Sequence, residues 1–256
     1  MEIYYTTVFF LFGTIFGSFF NVVGSRIPNG ESIVNPPSHC TNCNHQLTWK
    51  ELIPILSFLF QGGKCRQCKQ TISWFHPLYE FATGLLFALC YNIFGFQFEL
   101  IIALTFLSVL MILLVSDYYY MILPDEVLIT GGVALVIELW IGHGFSDTVM
   151  AIGSGVVAFI IMYLIKLIGD FIFQKESMGG GDIKLLFLFG MILGIPLSVV
   201  SIFLASFIAL PISLIILYQK KTNIIPFGPF LGMAAMILYL TRFDMNTLIN
   251  ILNNIG

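Results

Sequence analysis

Long apolar runs constrain this chain more than any other feature. Residues 3–23 carry no charged side chain, and about 20 apolar residues suffice for a helix to cross a bilayer. Similar runs recur at 77–94, 100–116, 127–141, 148–168 and 227–240. Residues 183–217 are too long for one crossing, and Gly194-Ile195-Pro196 lies inside them as a helix break, giving a short span and a longer one. Lipid offers no hydrogen bonds to peptide groups, so such runs must be helices. The expectation is an all-α polytopic membrane protein of about eight transmembrane helices. Composition agrees, since only 10% of residues are charged against about 25% in a soluble domain. A net charge of -3 gives no argument for a nucleic-acid partner, and none is expected. The N-terminus lacks the basic region and cleavage site of a removable signal. Residues 246–256 read as an amphipathic tail.

Charge then orients the spans. With the N-terminus outside, Arg26, Lys50, Lys64, Arg66, Lys69, Lys166, Lys175, Lys184, Lys220 and Lys221 fall at the cytoplasmic face. Only Arg242 falls outside, so ten of the eleven basic residues obey the positive-inside rule. The chain divides into a first span (1–23), a polar module (24–76) that we expect to be cytoplasmic and water-exposed, and a membrane domain (77–256).

The module holds Cys40-Thr-Asn-Cys43 and Cys65-Arg-Gln-Cys68, with 21 residues between the pairs. That is slightly beyond the usual zinc-ribbon spacing of about 15–20. Four thiolates close a tetrahedral shell around zinc and leave no open position, which defines a structural site. A reducing compartment disfavours disulfides. A redox or metal-free role is the alternative. His39 and His45 read as solvated loop residues, and Cys90 as a buried structural one.

Two acids carry the chemistry. Asp182 follows Gly179-Gly180-Gly181 at the start of an apolar run, and Asp117 closes another. An ionisable residue at a span is a functional-site hypothesis by default. Asp182 as a helix N-cap is the plain alternative, but capping does not require three glycines. Their missing side chains leave room for an extended peptide, and their freedom admits unusual backbone angles. Asp117 as a span terminator, Asp125 as a cap and Glu126 as a first-turn acid are the corresponding plain readings. Carboxylates about 3 Å apart share a proton, so one can activate water while the other protonates the substrate. No G-x-S-x-G or H-E-x-x-H is present. His39, His45, His76 and His143 lie outside the expected spans. The rival readings are an ion-coupled transporter using the two acids and a non-enzymatic zinc-stapled scaffold.

Gly179-Gly180-Gly181-Asp182 fits the G-x-G-D motif of membrane aspartic proteases. The string from Met178 to Gly194 resembles the type IV prepilin peptidases. So do Gly17-Ser-Phe-Phe-Asn21 with Arg26-Ile-Pro28, the four cysteines around Leu52-Ile-Pro54, Pro77 with Glu80, Asp117 with Leu123-Pro124-Asp125, and Ile225-Pro226-Phe227-Gly228-Pro229-Phe230-Leu231. The resemblance implies an endopeptidase of the bacterial plasma membrane, with Asp117 and Asp182 catalytic, that removes a basic leader from prepilins or pseudopilins at the cytoplasmic face. It also implies S-adenosylmethionine-dependent methylation of the new N-terminus, associated with the region from Gly24 to Glu80, although no glycine fingerprint for that cofactor is visible. His76-Pro77 stands where Tyr-Pro is common, and Asp125-Glu126 where one Asp or Asn is typical. Low charge suggests a Gram-positive competence or pseudopilin system. Gly179, Gly180, Gly181, Glu80 and Asp125 are the expected substrate-binding residues, with Glu126 and Glu176 also attracting the basic leader. Lys184 is expected to anchor to lipid headgroups rather than to pair with Asp182.

Overall fold

The computed structural model describes residues 1–176, 178–218 and 226–243, and leaves the side chains of residues 216 and 217 aside. Lys220, Lys221, Ile225 and the expected tail at 246–256 lie outside the described residues. Among the described residues eight α-helices follow in order: α1 (Glu2–Arg26), α2 (Leu56–Phe60), α3 (Phe75–Phe94), α4 (Phe98–Tyr120), α5 (Asp125–His143), α6 (Phe145–Phe173), α7 (Gly180–Tyr218) and α8 (Gly228–Leu240). There is no named strand among the described residues. Six of the helices are long and apolar enough to cross a membrane, and α8 is shorter but also apolar. The backbone of α7 leaves the helical region at Gly194, where φ is 78°. Pro196 follows two residues later, so α7 is two helical arms meeting at a kink. With its arms counted separately and α8 added, all eight expected apolar segments are helical. This is a multi-pass membrane protein.

The chain forms two compact units, Met1–Ser116 and Asp117–Gly256. In the first, α1 and α3 pack as an antiparallel pair in close register. A Cβ built on Gly13 would meet Gly84 Cα at 2.8 Å, and one on Gly17 would meet Thr83 Cβ at 2.9 Å. Apolar burial does not drive helices together in lipid, so small residues that let backbones approach carry the pairing. The same register brings Thr6 to Asn92, with a 2.7 Å hydrogen bond, and Asn21 to His76, at 2.8 Å. In the second unit α6 and α7 repeat the device: a Cβ on Gly190 would lie 2.6 Å from the Ser154 carbonyl and 2.7 Å from Gly155 Cα.

Two expected loops are shorter than the polarity of their residues suggests. Helix α4 continues through Asp117 to Tyr120, so Asp117 sits within its last turn rather than opening a loop. Helix α6 runs to Phe173, beyond the expected end at 168. His76 is the second residue of α3, not a loop residue.

Candidate active site and metal centre

Asp117 comes from the end of α4 and Asp182 from the first turn of α7, and both are buried, at 5% and 8% exposure. They converge on the first residue of α8. A Cβ built on Gly228 would lie 2.8 Å from Asp117 Oδ2 and 3.4 Å from Asp182 Oδ1, which puts those oxygens within about 6 Å of each other by the sum of the two distances. One water molecule can reach both. Asp117 Oδ2 is buried without a hydrogen-bond partner. Both acids stand at helix N-termini, of α7 and of α8, whose unpaired amides favour negative charge. Asp182 is the third residue of α7, not its N-cap. The expected pair is thus brought into one cleft within one compact unit.

Gly228 was quoted in the sequence only as part of a string, yet it is the residue against which the acids meet. Of the three glycines before Asp182, only Gly181 is required by internal packing: its Cβ would lie 2.8 Å from Leu123 Cβ. Gly180 faces open space and Gly179 has only Asp182 Oδ2, at 4.0 Å. Neither these two nor Gly181 adopts positive φ, so backbone freedom is not what selects glycine there. The exposed edge at Gly179 and Gly180 leaves an extended strand access to the peptide groups beside Asp182.

Two of the other expected acids, Asp125 and Glu80, have internal partners. Asp125, the first residue of α5, holds Lys184 Nζ at 2.6 and 2.8 Å through its two oxygens. Lys184 is therefore paired with Asp125, neither anchored on headgroups alone nor paired with Asp182. Asp125 is no N-cap, since Pro124 takes that position. Glu80 lies on α3, where Oε2 accepts the Ile55 backbone N–H at 2.8 Å. Glu126 and Glu176 are exposed.

The four cysteines form two matching knuckles. Cys40 N–H donates to the His45 carbonyl and Asn44 N–H to the Cys40 carbonyl. Cys65 and Lys69 repeat these bonds with the Gln70 and Cys65 carbonyls. Asn44 and Lys69, one residue after each second cysteine, both turn at positive φ, 56° and 60°. All four Sγ atoms lie within 4.8 Å of one another. The separations are 3.8 Å for Cys40–Cys68 and 4.0 Å for Cys43–Cys65. A tetrahedral site with Zn–S of 2.3 Å requires about 3.8 Å between sulfurs, so the cluster can hold a metal ion. Its electrostatics fit the same reading. The Gln70 N–H and the Asn42 side chain pull Cys68 down to about 6. Cys43, despite a lowering bond from the His45 N–H, is pushed up to about 11 by burial and its sulfur neighbours. A cation among the thiolates relieves that repulsion. His39 and His45 are not simply solvated: His39 Nδ1 lies 3.0 Å from the Pro37 carbonyl, and His45 Nε2 lies 3.3 Å from Glu51 Oε2. Thr48 N–H and its hydroxyl hold that same carboxylate oxygen in a capping box, and these bonds, led by the N–H, set Glu51 below the usual carboxylate range.

A multi-pass helical membrane protein with two buried carboxylates facing a common gap has groups that can carry acid–base hydrolysis. The comparisons agree. Residues 11–94 match the bacterial peptidase A24 N-terminal domain, and residues 104–214 match the type IV leader peptidase family. The prepilin leader peptidase/N-methyltransferase of Bacillus subtilis (strain 168) is 36% identical over 237 residues, 91% of this chain and 93% of that protein. The protein of the same description from Aeromonas hydrophila is 32% identical over 268 residues, 92% of this chain and 90% of its own length. That of Myxococcus xanthus (strain DK1622) is 40% identical over 187 residues, 72% of this chain and 55% of its own length. No solved structure matches. This chain belongs to the type IV leader peptidase family.

Proposed function

We propose that the chain removes the leader from prepilins or pseudopilins, with Asp117 and Asp182 as the catalytic acids. The observation that carries this is their convergence on Gly228: two buried carboxylates, one with an open acceptor, within reach of a single water. One carboxylate takes a proton from the attacking water. The other, protonated, hydrogen-bonds the scissile carbonyl and then supplies the leaving amine. Gly179 and Gly180 present bare backbone beside Asp182, so the substrate backbone lies along that edge. Glu126 and Glu176 supply negative charge for a basic leader, while Asp125 and Glu80 shape the frame through their internal bonds. The positive-inside distribution supports a cytoplasmic site in the plasma membrane, with the N-terminus outside.

Methylation of the new N-terminus is the second activity, supported by the double description of the relatives and by the N-terminal domain match. S-adenosylmethionine would supply the methyl group. Structural zinc in the four-cysteine cluster would hold the region's fold. A transporter with midplane acids is disfavoured, because Asp117 and Asp182 stand at helix ends. The test is cleavage of a purified prepilin by the full chain, by Asp117→Asn and by Asp182→Asn in detergent. Near wild-type turnover in either folded variant refutes the pair. Mass spectrometry of the product reports the cut and the methyl group together.

A further inference from the structure

Residues 49–60 read Trp-Lys-Glu-Leu-Ile-Pro-Ile-Leu-Ser-Phe-Leu-Phe. They comprise a single 3-10 turn, Trp49–Glu51, and the five-residue α2. Neither the acids nor the cysteines account for their surface. Phe58 turns inward against Trp74. The other large side chains face out: Trp49 is 71% exposed and Phe60 84%, with Leu52, Ile53, Leu56 and Leu59 exposed beside them. Six exposed large apolar side chains within twelve residues point to an interaction site.

One hydrogen bond ties the segment to α3. The Ile55 N–H is held by Glu80 of α3, and Ser18 of α1 bonds the same carboxylate. Helix α3 has 20 residues, which rise about 30 Å, the thickness of the hydrocarbon core. An α3 that crosses the core end to end places Phe75 at its edge and Glu80, five residues further on, about 8 Å inside. The bond to Glu80 holds the segment to α3 at that residue. Irregular backbone at such depth needs its donors satisfied from within the protein, and Glu80 satisfies one. Ile55 sits at φ 62°, an outlier for a β-branched residue, and the Glu80 bond helps hold it there.

Charge identifies the occupant. From Arg26 to Trp74 there are five basic residues and two acids. Lys50 Nζ stands 5.4 Å over the Trp49 ring, so cation and indole share one edge of the surface. Tryptophan and lysine together are the equipment of a lipid headgroup layer. We propose that residues 49–60 form a half-inserted membrane-interface loop, its apolar side chains in the headgroup–acyl boundary of the leaflet where α1 ends and α3 begins, with Lys50 on anionic headgroups. The occupant is lipid, continuous with the lipid around α1 and α3. An insertion of about 5–10 Å is the usual depth of such elements.

The test uses the full chain in phosphatidylcholine/phosphatidylglycerol vesicles. Phe60→Trp is combined with Trp49→Phe, Trp74→Phe and Trp140→Phe, so that one indole reports, and zinc content checks folding. Lipids brominated along the acyl chain should cut its emission at least about twofold, while iodide quenches it several times less than free tryptophan. If the fourfold variant loses its metal, Trp49 alone, in a Trp74→Phe, Trp140→Phe chain, gives the same readings. Full iodide access with no effect of brominated lipid overturns the proposal. Iodide access in vesicles that is lost only on adding a prepilin peptide also overturns it, and assigns the surface to protein.

Discussion

Gly228→Ala is the sharpest perturbation of the proposed site. The added methyl would stand 2.8 Å from Asp117 Oδ2, and 3.4 Å from both Asp117 Cγ and Asp182 Oδ1. Ordinary carbon contacts begin near 3.5 Å, so the Asp117 carboxylate must retreat by roughly half an ångström. Overpacking of this kind costs about 1–3 kcal/mol of stability. Catalytic groups tolerate about 0.5 Å of displacement, and about 1 Å can cost 100-fold. We expect kcat for prepilin cleavage to fall roughly 10- to 100-fold, or about 1.4–2.7 kcal/mol in the barrier. KM should change little, because the methyl enters the gap between the acids and not the edge at Gly179 and Gly180. The control is Gly232→Ala, one turn along the same helix, where a Cβ meets nothing within 4 Å. That variant should keep full activity and melt at the same temperature or higher, since alanine replaces glycine inside a helix. Initial rates in lipid nanodiscs, with Tm measured in parallel, decide the matter. A folded Gly228→Ala chain with wild-type kcat would refute the convergence of the acids on that residue.

Removing metal with a strong chelator should open residues 27–74 to limited proteolysis, while α3 and the helices after it stay protected; a module still resistant after complete removal counts against structural zinc. One metal per chain is the expected stoichiometry by elemental analysis, and Cys40→Ser should abolish it. Lys184→Met and Asp125→Asn should couple in a double-mutant cycle by only about 0.5–1 kcal/mol of stability, because both side chains are half exposed; a coupling several times larger would show the pair to be buried in the bilayer. Gly84→Val should separate α1 from α3, where a Cβ already lies 2.7 Å from Thr14 Cγ2, and lower Tm by an amount matching about 1–3 kcal/mol.

The spans, the break at Gly194, the cysteine knuckles and the two acids were legible because each rests on a local signal. Hydropathy reads the thickness of the apolar layer, not the end of a helix. Tyr118, Tyr119 and Tyr120 are polar at their tips, yet they leave the peptide ladder intact, so α4 outlasts its apolar run and carries Asp117 in a helical turn. Partners distant in sequence left no such trace. Lys184 meets Asp125 across 59 residues, and Gly228 is one glycine among 23 until folding lays it against Asp117. The polar flanks of residues 49–60 suggested a water-exposed module. The exposed apolar side chains inside it, and its tie to Glu80, carry our proposal that this part of the module meets the membrane interface.

The joint in α7 bears on how the enzyme meets membranes of different thickness. At Gly194 the hydrogen-bonded rod is interrupted, and Pro196 removes a further donor just beyond. The arm bearing Asp182, residues 180–193, rises only about 21 Å, less than a full crossing. When the surrounding lipid thins or thickens, the longer arm can tilt to follow it by bending at this weak point. The short arm is then spared the torque, and cleavage rates should vary little with acyl-chain length.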